Sequence, residues 1–297
     1  MTLLVFAGLF FPIVLLGLSV YLFRVSNRNL KLIVAFSGAF LISLTFNELI
    51  PHIFSADTAH EMVASEGCDH QDQPGCNHDH GQELTAPVQG HDHGDDTHQH
   101  GTRFGLFILL GFLLQLLLDY LTKGVEHGHM HAKCPEHQDH NHEQHHAEGS
   151  ETKGISHIPV VIGLALHSFL EAMPLASGFE SPELQHKLLL GIVIHNIPIA
   201  IVLMGLLMQN KVSRWMSVTW LLVFALAGPL GVFASEMLGA HLISDMHMFF
   251  RFSMAIVVGI FLHISTTILF ETDENHRFNL LKFAVIILGG AAALIHF

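Results

Sequence analysis

In the segment LALHSFLEAMPLASGF (164–179), His167 and Glu171 stand four residues apart. On a helix that spacing places both side chains on one face, about 6 Å apart along the axis. A neutral imidazole and a carboxylate so arranged can grip one divalent cation of the zinc or ferrous type. Pro174 follows and cannot donate to the carbonyl of Leu170, which loosens the backbone beside the pair. The plainer alternative is a buried His–Glu pair that only holds helices together. A second motif, GIVIHNIPIAIVL (191–203), sets His195 and Asn196 before Pro198, which frees the carbonyl of Ile194 in the same turn. By itself His195 suits a hydrogen-bonded helix contact as well as a ligand; beside the first motif, the ligand reading is preferred. In FLISLTFNELIPHIF (40–54), Glu48 lies well inside an apolar run, with Asn47 next to it and His52 one turn on, near the end of the run. His263 in FLHIS (261–265) serves packing or ligation equally well. Asp119 and Glu236 sit at run ends, Glu271, Asp273 and Glu274 flank a run, and HLISD (241–245) has metal-pair spacing but falls in a short turn.

Elements able to position these groups are visible as eight apolar runs, at 2–23, 32–54, 104–122, 158–179, 188–209, 215–236, 252–270 and 280–297. A bilayer crossing takes about 20 helical residues. The last run contains Lys282, which can snorkel to the interface. The expected fold is therefore all-α, a polytopic membrane protein of eight transmembrane helices. Composition agrees: 50% of residues are hydrophobic and only 13% charged, where a soluble domain carries about a quarter charged. An ionisable side chain inside such a run is costly and is a candidate for function by default. A net charge of −13 argues against a nucleic-acid partner, and three cysteines in 297 residues against a disulfide scaffold. The first run is not expected to be a cleaved leader, because it is long and its basic flank (Arg24, Arg28, Lys31) follows it. Trp215 and Trp220 read as interfacial anchors.

The charge is regional. Residues 55–101 and 123–157 carry the whole −13 and 17 of the 26 histidines. The chain thus divides into helices one and two (1–54), an outer His- and acid-rich loop (55–101), helix three (102–122), an inner His-rich loop (123–157) and helices four to eight (158–297). Such loops bury too little apolar surface to fold alone, so both are expected to be mobile. Their runs HDHGDDTHQH (91–100) and HGHMH (127–131) offer His91, His93, His129 and His131 as loose, exchangeable metal ligands, or else form solvated acidic linkers. Cys68 and Cys76 could pair or add thiolates. With the N-terminus outside, ten Lys and Arg fall on the inner side against three outside, so both termini are expected to be external on the cell membrane.

Together these runs and motifs resemble the ZIP (Zrt/Irt-like) family of metal-ion transporters. The resemblance spans all eight runs and rests on the motifs of spans four and five, on SGAFLISLTFNELIP (37–51), on AGPLG (227–231) and on GIFLHISTTILFE (259–271). It implies a bundle with inverted repeats and alternating access towards the cytoplasm, with a divalent cation, zinc foremost and iron or manganese next, as transported ligand. No catalytic cofactor is implied. Spans four and five of the family each carry a form of His-Asn-x-x-Glu. By resemblance His167 and Glu171 are primary ligands, with Ser168 where Asn is frequent, and His195 and Asn196 match the span-five positions. Glu48 falls three residues before the span-two Pro, where many members have His; His52 and His263 are candidates for a secondary metal position or the pathway. Ile199 and Gly228 stand where members often supply further carboxylates, which implies one principal site of His167, Glu171 and His195, with Glu48 and Asn196 completing or guarding it, rather than two. Expected partners are metal ions and the lipid bilayer, with a homodimer left open.

Four other readings compete. His142, Glu143 and His146 match H-E-x-x-H of a metalloprotease, but in a stretch so rich in His and Glu the match is cheap. A membrane oxygenase needs His boxes near span ends, and a cation-diffusion carrier has six spans and a soluble C-terminal domain. A metal receptor or sensor with little transport fits the missing carboxylate at Ile199 best. No enzyme activity is expected.

Overall fold

Apolar runs separated by Pro, Gly and polar links fold as helix after helix. The structure, a computed structural model, describes residues 2–23, 26–54, 95–122, 157–176, 182–242, 246–270 and 280–295. Among these there are eight α-helices and no strand: α1 (Thr2–Ser19), α2 (Asn27–Leu44), α3 (Asp95–Thr122), α4 (His157–Ala172), α5 (Pro182–Gln209), α6 (Arg214–Leu242), α7 (Met246–Phe270) and α8 (Leu280–Ala293). Six helical stretches are long and apolar enough to cross a bilayer, namely Arg28–Phe54, Thr102–Thr122, His157–Leu175, Pro182–Gln209, Arg214–Gly239 and Met248–Leu269. The apolar helices Leu3–Ser19 and Leu280–Ala293 are shorter.

Solvent exposure is inverted relative to a water-soluble protein. Leu106, Leu109, Leu113 and Leu117 of α3 face outward, while Gln115 and Thr122 are fully buried. The same holds for Leu166 outside and His167, Ser168 and Glu171 inside on α4. Lipid tails solvate leucine at no cost, whereas an amide or carboxylate must find partners inside the bundle.

The helices associate in two groups. α3 packs chiefly on α7 and α2 on α8 and α7; α4 packs on α6, and α1 on α5 and α6. Small residues set the closest approaches. A methyl at Gly111 of α3 would overlap the carbonyl of Ile256, and one at Gly259 of α7 would overlap that of Ile108, so both helices use glycine to bring their backbones together. Gly231 of α6 meets the Phe169 carbonyl of α4 in the same way. The groups join along α2–α5 and α3–α4.

Local breaks fall where the polar motifs lie. α2 continues into a π-helical turn, Thr45–Leu49, that carries Glu48. α4 gives way to a 3₁₀ turn, Met173–Leu175, around Pro174, because Pro disfavours helical geometry in the residue before it. Pro198 is accommodated inside α5. α5 ends in a Schellman arrangement, Lys211 N–H to Met208 O (3.1 Å) and Val212 N–H to Leu207 O (3.0 Å), with Lys211 at φ 54° where glycine is usual.

Candidate metal centre

Glu171 follows His167 by four residues in α4, so the helix stacks the two on one face, with His167 Nε2 and Glu171 Oε2 3.2 Å apart. Both side chains are completely buried. From α5, His195 sets its ring edge-on to that of His167 with centroids 5.5 Å apart. Asn196, the next residue, donates its Nδ2–H to Glu171 Oε1. Ligand atoms of His167, Glu171 and His195 all lie within 4.8 Å of one another. Three donors around a zinc-like ion at about 2.1 Å stand about 3.4 Å apart, so modest side-chain adjustment closes the set on a cation.

This polar group interrupts the apolar core. Leu164 below it on α4 belongs to one apolar cluster and Ala172 above it to another. On α5, Ile192 and Ile199 divide between the same two clusters around His195 and Asn196. An unpartnered acid at a helix centre costs about 3 kcal/mol in membrane insertion; the Asn196 amide offsets part of that cost for Glu171. On the far side of the His167 ring, Nδ1 lies 3.0 Å from Oε1 of Gln115 on α3.

Glu48 lies outside the three-residue group. Its carboxylate accepts from Lys187 Nζ at 2.8 Å, and the same amine holds Glu183 at 3.0 Å. Lys187 stands two helical turns before His195 on α5, about 12 Å along the axis. His52 lies on the helical stretch that continues to Phe54, partly buried. His263 of α7 packs edge-on to the Phe112 ring at 5.0 Å, and its carbonyl accepts from the Thr266 and Thr267 hydroxyls. His91, His93, His129, His131, the trio His142, Glu143 and His146, Cys68 and Cys76 lie outside the described residues, as do Asp245, Glu271, Asp273 and Glu274.

The ZIP Zinc transporter family model matches residues 1–296. The chain belongs to the ZIP family. Comparison with curated proteins gives no match. This chain is therefore a membrane-embedded metal-ion transporter by family, and transport rather than catalysis is the family's work. The two positions at which the resemblance implies further carboxylates, Ile199 and Gly228, are both described. Ile199, one turn beyond His195, is buried among apolar side chains of α4 and α6. Gly228 of α6 faces α4, with the space beside it bounded by Ser168 Oγ, Leu9 and Ala172. Ile199 thus lies in apolar packing, whereas Gly228 meets a hydroxyl as well as two apolar side chains.

Sequence reading missed Gln115 and the bonds of two cations. Gln115 carries a usable signal, an amide inside LFILLGFLLQLLLDYL (106–121), at the spacing of the buried positions Gly111, Leu118 and Thr122. Lys187 and Arg251 are two of the three basic residues expected on the outer side. Both attach to the distal part of α2's helical stretch: Lys187 through Glu48, and Arg251 by donating to the Ile53 carbonyl at 2.6 Å while its guanidinium lies 4.4 Å from the Phe104 ring centroid. No pattern along one helix announces such bonds between distant segments.

Proposed function

We propose that the chain moves divalent metal ions, zinc foremost and iron or manganese next, into the cytoplasm through a single site formed by His167, Glu171 and His195. The observation that carries this reading is their convergence: three buried metal-ligating side chains from two adjacent helices, in a family of zinc transporters. Asn196 orients the Glu171 carboxylate by its hydrogen bond. Glu48 and His52 serve as outer waypoints, with Lys187 holding the Glu48 carboxylate until a cation arrives. His263 borders the path rather than ligating.

In this reading all eight helices cross the bilayer, α1 and α8 included, as an inverted-repeat bundle with both termini external on the cell membrane. The outer (55–101) and inner (123–157) His-rich loops, between helices two and three and between three and four, collect and receive metal. Alternating access comes from one helix group sliding past the other; the division of packing into two groups joined along α2–α5 and α3–α4 supports this. The motion exposes the site to one side and then the other, so the cation exchanges water for His and Glu in stages.

Uptake of zinc, iron, manganese and cadmium into proteoliposomes tests the proposal, with His167→Ala and Glu171→Ala as controls. Flux in the wild type that both substitutions abolish is expected. Equal flux in all three proteins sinks the site assignment, and tight binding without any flux points instead to a metal receptor.

A further inference from the structure

We infer that Gln115 of α3 is a positioning residue for the cation site, fixing the ring of His167 so that Nε2 is the nitrogen offered to metal. The inference rests on the reading of His167 as a ligand. An imidazole offers metal only a nitrogen without a proton, and in the neutral ring the other nitrogen carries that proton. An amide oxygen can only accept. With Gln115 Oε1 at 3.0 Å, Nδ1 of His167 is the donor, and the lone pair is left on Nε2. That nitrogen is the one 3.2 Å from Glu171 Oε2, on the side where His195 also stands. A ring released from this bond can turn over or shift its proton to Nε2, and either change takes the lone pair away from the site.

Location makes Gln115 unusual. It is fully buried in a run whose neighbours Leu113, Leu116 and Leu117 face outward, at a position where leucine would continue the pattern. It also comes from the helix group that supplies none of His167, Glu171 or His195, since α3 packs mainly on α7. The site therefore receives its ligands from one group and the orientation of one ligand from the other. Outer partners that orient metal-ligating histidines commonly matter by about 10–100-fold in affinity.

The test is zinc uptake by the full chain in proteoliposomes across a range of zinc concentrations, for wild type, Q115L, Q115E, Q115N and H167A. Thermal melts and gel filtration identify variants that have lost their fold, and Q115N retains an amide in the same pocket should Q115L unfold. Q115L and Q115N are expected to raise KM by about 10–100-fold with maximal rate nearly kept, because neither sets an acceptor oxygen against Nδ1. Q115E retains that oxygen and is expected to restore a KM close to wild type. If H167A abolishes uptake while folded Q115L or Q115N keeps the wild-type KM, the inference about Gln115 is overturned and the site reading stands. Q115E performing no better than Q115L also overturns it. Wild-type uptake by H167A would overturn the site reading itself, and this inference with it.

Discussion

At the residue scale, the chemistry depends on a few side chains whose polarity is expensive where they stand. Glu171 tolerates burial because Asn196 donates to it, and a cation between it and the facing His167 Nε2 would satisfy it further. Glu171→Ala is expected to lower zinc uptake by at least about 100-fold, more than loss of an orienting partner alone costs, with little change in the melting temperature. Glu48 answers differently. It is partly exposed, and Lys187 retains Glu183 when Glu48 is neutralised, so Glu48→Gln is expected to cost about 1 kcal/mol or less in thermal stability. If Glu48 is a waypoint, the same substitution slows uptake at low zinc and not at saturation. Of this chemistry, the sequence made the helical pair His167–Glu171 legible through its spacing, and His195–Asn196 through its place in an apolar run. Gln115 and Lys187 were illegible in their roles, because each acts on a helix far away in the chain, and one-dimensional periodicity does not say which helices are neighbours.

At the element scale, hydropathy located the helices better than it located their ends. α3 begins at Asp95, ahead of the boundary at 102, and α5 at Pro182, ahead of 188. The apolar pattern reports the stretch that suits lipid, whereas the hydrogen-bonded helix continues beyond it. Pro182 opens the first turn of α5, and Glu183 adds negative charge there, both favourable at a helix start. The π turn at Thr45–Leu49 left no recognisable sequence signal, although such turns are frequent at functional sites. Two substitutions probe the elements. Lys211→Gly removes the penalty of a left-handed residue at the end of α5 and is expected to raise stability by about 1 kcal/mol. Gly231→Val drives a side chain into the Phe169 carbonyl and is expected to cost about 1–3 kcal/mol, separating α6 from the helix that carries the site. Thermal melts in detergent measure both, and a neutral Gly231→Val would contradict the close packing of α4 and α6.

At the scale of the whole molecule, the histidines fall into two separate groups. Seventeen of the 26 lie within 55–101 and 123–157, whereas His167 and His195 lie in the packed helices, at the gap between two apolar clusters. Deleting 60–94 and 127–148 together is therefore expected to reduce the zinc bound per chain while leaving maximal uptake nearly unchanged. A large fall in maximal uptake would make the loops part of the transport path itself. The claim on which all of this depends is that one cation is held by His167, Glu171 and His195 together. Anomalous diffraction at the zinc edge, from crystals of the full chain grown with zinc, measures it most directly. An anomalous peak bonded to all three side chains is expected in the wild type, and none in Glu171→Ala. A zinc-loaded crystal with peaks elsewhere and none between these residues would contradict it.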